Sequence, residues 1–366
     1  MNGTLEQGRA ADRLYLRSTI ELAERGRFTC APNPTVGCVI VRRGQVLGRG
    51  WHQYTGQGHA EANAIADAGN DIRGATVYVS LEPCSFVGRT PACAATLVEH
   101  NVARVVIAQL DPHPLVSGEG VRMLQRAGIE VDVMELDEAR AVIAGYIKRV
   151  TLKRPLVRIK SASSLDGATA LADGQSQWIT GPEARVDVQA WRARADAIIT
   201  GIGTVLADDP ALTVREQSLE PFAQPLRVVL DRGLRTPSVC QVVKDRQSTL
   251  IVHEQSAVVP DHLLAAESVE LLSQPAIDLG SVLEALGERG CNEVLVEAGA
   301  QVVGSFVEAG LWDEWVAYLA PRILGRNTRG IADFVLNDLA AAPSCRLADI
   351  TRVGEDIRIT LERVGG

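Results

Sequence analysis

Apolar positions along this 366-residue chain recur with two periods. Ala75 to Leu81, Leu156 to Lys160 and Ala197 to Thr200 are short apolar runs closed by turn residues, the pattern of buried strands. Residues 12–25 set Tyr15, Thr19, Leu22 and Ala23 on one side of a helix that Gly26 closes. Residues 36–41 and 45–48 predict a hairpin around Arg43-Gly44, followed by strands at 75–81, 104–108 and 129–134 and helices at 118–127 and 137–149. Lys153-Arg154-Pro155 then breaks the pattern, which sets a domain boundary between 1–153 and 154–366. The second region predicts strands at 156–160, 197–200, 226–230, 249–252, 269–271 and 293–296, with helices at 182–194, 279–289 and 301–309. Antiparallel-looking strands follow near 314–319 and 357–362. Such alternation gives α/β layer structures with a central sheet.

Apolar content of 46% with 22% charged residues is that of an ordinary globular protein, long enough for two domains. Met1 to Arg17 carries no apolar signal core, and no run approaches a membrane span. Seven cysteines, an odd count, argue against a disulfide framework, so a cytoplasmic location without membrane attachment is expected. Residues 1–153 hold 17 Lys+Arg against 16 Asp+Glu, and residues 154–366 hold 20 against 29, within a net charge of −8. Neither part is a basic domain, which argues against nucleic acid as the main partner and favours a small molecule.

The first region carries His59-Ala60-Glu61, answered by Pro83-Cys84 and, nine residues on, by Cys93. One imidazole and two thiols suit Zn²⁺, and three protein ligands leave a fourth tetrahedral position for water. Zinc lowers the pKa of that water to about 7. Glu61, free of the metal, is placed to move protons, and the whole set has the form of a zinc-dependent base deaminase. Ala62, Ile65 and Ala66 recur at helical spacing, so His59 and Glu61 fall in a first helical turn. Positions two apart do not share a helix face, so His59 must stand at the very N-terminus. Cys84 follows a strand, and Pro91 starts a helix through Ala94, Leu97 and Val98.

In the second region, strand 197–200 leads into Gly201-Ile202-Gly203-Thr204, and Val294 to Glu297 leads into Ala298-Gly299-Ala300 and a helix. Neither is a Rossmann fingerprint, and each taken singly reads first as a tight turn. Two at strand ends in one domain point to a nucleotide-sized ligand, with phosphate at the helix N-terminus. Arg192 and Arg215 are candidate forks for a substrate phosphate, and each is equally an exposed, solvated arginine. Lys160, Trp178, Asp208 and Glu297 are suggestive without being decisive.

His59-Ala60-Glu61, the long Pro83 to Cys93 loop and Asn33-Pro34-Thr35-Val36-Gly37 together resemble the deaminase half of the bifunctional deaminase–reductase family of riboflavin biosynthesis. Ser164-Leu165-Asp166-Gly167, Gln177 to Gly181, Gly201 to Arg215 and Val296 to Gly299 resemble its reductase half, in the same order along nearly the whole chain. The resemblance implies a cytidine-deaminase-like α/β/α domain and a dihydrofolate-reductase-like α/β domain. It implies zinc on His59, Cys84 and Cys93, proton transfer by Glu61, and base contact by Asn33. It also implies NADPH against Ala162, Trp178, Thr204, Asp208, Arg232 and the loop Gly299, Ala300, Gln301, Val302, Val303, Gly304 and Ser305. Substrate positions fall on Ser176, Arg192, Leu212, Arg215 and Glu297. The implied substrate is a phosphorylated pyrimidine, and a homo-oligomer is expected.

Three positions depart from the family pattern. Phe86 replaces His, Ala92 replaces the second Pro before the last ligand, and Arg232 replaces Ser. Arg232 leaves open both contact with a 2′-phosphate and crowding of the site. Two other readings are weaker. A deaminase of free or tRNA bases with an unrelated appended domain lacks the basic surface it needs, and a zinc-stapled NADP sensor does not explain Glu61 or the three-ligand set.

Overall fold

A computed structural model describes residues 2–86, 91–114 and 116–364 as two compact units, one ending at Lys153 and the other starting at Arg154. Val87, Gly88, Arg89 and Thr90 of the quoted loop lie outside the described residues.

The first unit runs α1 (Asn2–Glu24), β1 (Gly37–Arg42), β2 (Gln45–Trp51), α2 (Ala60–Asp67), β3 (Thr76–Val79) and α3 (Cys93–Glu99). It continues through β4 (Arg104–Ile107), α4 (Glu119–Arg126), β5 (Glu130–Val133), α5 (Asp137–Val142) and α6 (Ala144–Leu152). Its sheet has the order β2-β1-β3-β4-β5, antiparallel around β1 and parallel from β3 to β5. Alternate residues of β1 and β3 bury on opposite faces. Cys38, Ile40, Val77 and Val79 meet α2 and α3, while Val39, Val41 and Tyr78 meet α1. Glycine lets α2 lie close on β2: a Cβ at Gly50 would stand 2.3 Å from Ala64 N and 2.4 Å from Ala60 O.

The second unit opens with β6 (Leu156–Ser164), β7 (Ala170–Leu171), α7 (Pro182–Arg194), β8 (Ala197–Gly201), α8 (Ile202–Asp208) and β9 (Leu226–Leu230). Next come α9 (Gln241–Lys244), β10 (Thr249–Glu254), α10 (Asp261–Leu264), β11 (Val269–Gln274), α11 (Leu279–Glu288), β12 (Glu293–Val296) and α12 (Ala300–Glu308). It closes with β13 (Glu314–Ala320), β14 (Thr328–Arg329), β15 (Cys345–Val353) and β16 (Asp356–Arg363). The nine-stranded sheet has the order β11-β10-β9-β8-β12-β6-β13-β16-β15, parallel up to β13 and antiparallel beyond it. The parallel core strands are apolar on both faces because helices cover both sides. Val157, Ile199, Val294 and Val296 pack with α11 and α12, and Ile198 and Leu295 pack on the other face.

Several segments differ from the sequence expectation, among them α1, which starts at Asn2 rather than near Asp12. Ile202–Asp208, expected as a glycine loop, is α8, because the chain passes from Gly201 straight into a helix. The cofactor loop that the resemblance puts at Gly299 to Ser305 is the N-cap and first turns of α12, in line with the helix expected at 301–309. The helix expected at 137–149 is two helices, since Ile143 leaves helical geometry (φ −108°, ψ 19°), and Lys153 ends the second with φ 59°. Strand β15 has no counterpart in the expectation, because its residues are nearly all exposed and show no apolar alternation. Among the described residues, no helix is long and apolar enough to cross a membrane.

Candidate active sites

His59 is the N-cap of α2, extended at φ −70° and ψ 170°, and its side chain caps nothing. Glu61, two residues later, is inside the helix, which is how both reach one site despite their spacing. Cys84 follows the end of β3, and Cys93 opens α3 behind its N-cap Ala92. The ligating atoms of His59, Cys84 and Cys93 all lie within 4.8 Å of one another. Nδ1 of His59 stands 3.6 Å from Cys84 Sγ and 3.3 Å from Cys93 Sγ. Ligands about 2.3 Å (sulfur) and about 2.0 Å (nitrogen) from one ion stand roughly 3.5 Å apart along tetrahedral edges. The three side chains therefore fit zinc with a fourth position to spare.

The local backbone supports thiolate at Cys84. Cys93 N–H donates to Cys84 Sγ at 3.3 Å, and Ala94 N–H donates to the Cys84 carbonyl at 3.1 Å. The side-chain hydrogen bond with Cys93, helped by His59 and opposed by burial, pulls the Cys84 thiol down, while the same bond and burial push Cys93 up. Thiolate is the form that binds metal. Glu61 is only 3% exposed, and burial, together with Cys84, pushes its carboxyl up from the ordinary value. A carboxyl raised towards neutrality is suited to carry protons. Phe86 is 55% exposed two residues beyond Cys84.

Asn33 reaches the same neighbourhood through His52, a buried ring that motif reading misses. Asn33 Nδ2 lies 3.0 Å from His52 Nε2, and the His52 ring meets His59 edge-on with centroids 5.3 Å apart. Glu82 is missed as well. Its buried carboxylate accepts from the backbone N–H groups of Asp111 (3.1 Å), Gly118 (2.9 Å) and Val121 (3.2 Å), tying the start of α4 to the segment that carries Cys84. The one sequence signal for it is adjacency to Pro83-Cys84.

In the second unit, Glu297 follows β12 and is gripped by α7. Arg192 donates to it through Nε (2.7 Å) and a terminal nitrogen (3.0 Å), and Lys160 Nζ of β6 lies 3.8 Å away. Burial works against the carboxylate, yet Arg192 and Lys160 hold it down to about 2. Burial pushes the Lys160 amine down, with Glu297 opposing. Arg192 also donates to the Thr213 carbonyl at 3.1 Å, beside Leu212, which has φ 51°. The Arg192 fork, expected to meet substrate phosphate, pairs here with Glu297. Arg215 stays exposed, its backbone N–H held by Gln189 Oε1 at 2.9 Å.

Of the positions expected to meet the cofactor, Thr204, Arg232 and Gly299 follow the ends of parallel strands β8, β9 and β12. A Cβ at Gly299 would lie 3.8 Å from Thr204 Oγ1, and one at Gly201 would lie 2.8 Å from Val302 Cγ2. The start of α8 and the N-terminus of α12 thus face each other, with free N–H groups suited to phosphate. Gly304 admits the following segment, since a Cβ there would meet the Asp333 carbonyl oxygen at 2.0 Å. Ala162 sits in β6 opposite Tyr318. Trp178 is exposed beneath the Arg185 guanidinium, which lies 4.5 Å from its ring, and Ser176 precedes it in the connection to α7. Asp208 is the last residue of α8. Arg232, just past β9, is exposed, with its closest acidic neighbour Glu254 at 3.7 Å. Ser176 and Arg232 share no hydrogen bond with the Arg192–Glu297 pair among the contacts described.

Two family descriptions match the two units. Residues 9–109 match the cytidine and deoxycytidylate deaminase zinc-binding region, and residues 155–359 match the RibD C-terminal domain. The riboflavin biosynthesis protein RibD of Escherichia coli (strain K12) is 43% identical over 366 residues, spanning 96% of this chain and 99% of that protein. The chain belongs to the RibD family. A solved RibD structure from Acinetobacter baumannii superposes with a TM-score of 0.90 at 40% identity, covering 96% of this chain and 99% of that one. A diaminohydroxyphosphoribosylaminopyrimidine deaminase/5-amino-6-(5-phosphoribosylamino)uracil reductase from Thermotoga maritima superposes at 0.85 with 33% identity, covering 96% and 98%. The RibD likeness is therefore one of both units in one order, and the expected pairing of a cytidine-deaminase-like domain with a RibD reductase domain holds.

Proposed function

We propose that the chain performs two successive steps of riboflavin biosynthesis. The first is zinc-dependent hydrolytic deamination of 2,5-diamino-6-(5-phosphoribosylamino)pyrimidin-4-one. The second is NADPH-dependent reduction of the ribosyl group to a ribityl chain. The observation that carries this reading is the His59, Cys84 and Cys93 cluster beside buried Glu61, in a chain that also holds the Arg192–Glu297–Lys160 group. No basic field accompanies the first unit, which favours a free nucleotide-like substrate over a polymer.

In the deaminase, His59, Cys84 and Cys93 would hold zinc, which would make water available as hydroxide at neutral pH. Glu61 takes the proton from that water and delivers it to the departing amine, so that ammonia leaves and a ring carbonyl remains. Asn33 holds the pyrimidine edge.

In the reductase, bound NADPH would supply the hydride that C1′ receives. The bond from C1′ to the ring oxygen opens, and that oxygen takes up a proton. Lys160, its amine pushed down by burial beside the ionised Glu297, is the group placed to supply that proton. Arg192 keeps Glu297 ionised and in place, and Arg215 anchors the substrate phosphate. Ala162, Trp178, Thr204, Asp208 and the first turns of α12 from Gly299 to Ser305 line the cofactor. Arg232 is assigned to the 2′-phosphate, since its guanidinium is exposed, with Glu254 at 3.7 Å. Ser176 and Leu212 complete the substrate contacts.

We also place the enzyme in the cytoplasm, and as a homo-oligomer. Exposed Leu347 and Ile350 on edge strand β15 give a second copy an apolar surface to cover. Incubation of zinc-loaded protein with the diaminopyrimidine tests the function, with ammonia release required for the first assignment and NADPH oxidation for the second.

A further inference from the structure

The His52 ring has polar partners on both nitrogens. Nδ1 lies 3.1 Å from the Gly58 carbonyl, and Nε2 lies 3.0 Å from Asn33 Nδ2. A carbonyl can only accept, so Nδ1 must carry the proton, and in the neutral ring Nε2 is then an acceptor. An inverted Asn33 amide would place its oxygen against that bare nitrogen. Only one arrangement therefore satisfies every group, with Nδ1–H donating to Gly58 and Asn33 Nδ2–H donating to Nε2. Asn33 is left with Oδ1 and one N–H to offer a ligand.

Resting on the deaminase reading above, we propose that His52 is a positioning residue that fixes the amide of Asn33, and so selects a pyrimidine edge with a ring N–H beside a carbonyl. Asn33 Oδ1 accepts from the ring N–H while its remaining N–H donates to the carbonyl. Gly58 directly precedes His59, so the same ring ties the pyrimidine-reading amide to the backbone of a zinc ligand. The support around it is rigid. His52 is 2% exposed, and its N–H donates to the Val36 carbonyl at 2.9 Å. Asn63 Nδ2 donates to both the Gly58 carbonyl (3.1 Å) and the Trp51 carbonyl (2.8 Å). On the Asn33 side, Arg149 donates to the Pro32 carbonyl at 2.7 Å.

The test uses the zinc-loaded full chain. His52→Gln keeps one donor and one acceptor, whereas His52→Leu keeps neither. His52→Leu should lower deaminase kcat/KM about 30-fold, mainly through KM, and His52→Gln should restore most of that loss. Zinc content and NADPH-linked reduction should stay at wild-type levels in both. In an Asn33→Ala background, His52→Leu should add no further loss. Nitrogen NMR of the wild type should place the His52 proton on Nδ1 alone. Equal damage from Gln and Leu, additive loss with Asn33→Ala, loss of zinc from His52→Leu, or a proton on Nε2 would each overturn the assignment. A wild-type chain that released no ammonia would instead sink the deaminase reading, and the NMR result would still decide how Asn33 is oriented.

Discussion

Gly50→Ala should disable the deaminase without touching any residue that does chemistry. The added Cβ would stand 2.3 Å from Ala64 N and 2.4 Å from Ala60 O, whereas ordinary contact begins at 3.4 Å. Both atoms are backbone, so no side chain can swing aside, and α2 must retreat by about an ångström. His59 caps that helix and Glu61 lies in its first turn. A shift of that size is half of a zinc–nitrogen bond of about 2.0 Å, so His59 cannot keep its place among the thiolates. Overpacking should cost about 1–3 kcal/mol of stability, and misplacing the reacting groups by an ångström should cost about 100-fold in deaminase kcat/KM. Ammonia release at saturating zinc measures the loss, and NADPH oxidation with the deaminated substrate serves as the control for folding. A deaminase rate within about threefold of wild type would show that edge strand β2 yields rather than the helix, and would refute the reasoning.

Three further outcomes are expected. Glu61→Gln should keep zinc at wild-type content and lose ammonia release by at least about 100-fold, and full activity would remove Glu61 from proton transfer. Arg215→Ala should raise the reductase KM while deamination is unchanged, and equal damage to both reactions would mean that the two sites are not separate. Glu293 is held down to about 2 against its burial by Arg194 and Arg158, from an ordinary 4.5. A carboxyl depressed in this way contributes about 3 kcal/mol that is present above the unfolded value and is lost as pH falls through the folded one. Glu293→Gln should therefore destabilise the second unit by about that amount at neutral pH in urea unfolding, with the gap to wild type closing as pH drops from about 4.5 towards 2. A gap that widened in acid would contradict the assignment.

Strands buried on both faces were the most legible part of the chain, since runs such as Ala197-Ile198-Ile199-Thr200 have no other stable placement. The zinc cluster was legible too, because His59, Glu61, Cys84 and Cys93 combine residue types that metal and proton chemistry require. Helix α8 was not. Gly201-Ile202-Gly203 reads as a turn, and only packing of the glycine backbone against Val302 shows that a helix starts there. β15 escaped notice because an edge strand exposed on both faces leaves no hydrophobic period to read. The engagement of Arg192 was hidden as well. Glu297 lies 105 residues away in sequence, and the ion pair exists only once β12 and α7 are packed. His52 has no motif of its own and acts through two hydrogen bonds that the fold creates.

Following ammonia and NADPH together, in a single reaction started with the diaminopyrimidine ribosyl phosphate, decides whether one chain deaminates first and reduces second. Ammonia should rise at once, with or without NADPH, and NADPH should be consumed after a lag, in equal final amount. Chelation of zinc should stop both signals with this substrate, while reduction of the deaminated compound continues. Consumption of NADPH on the diamino substrate without prior release of ammonia would contradict the account.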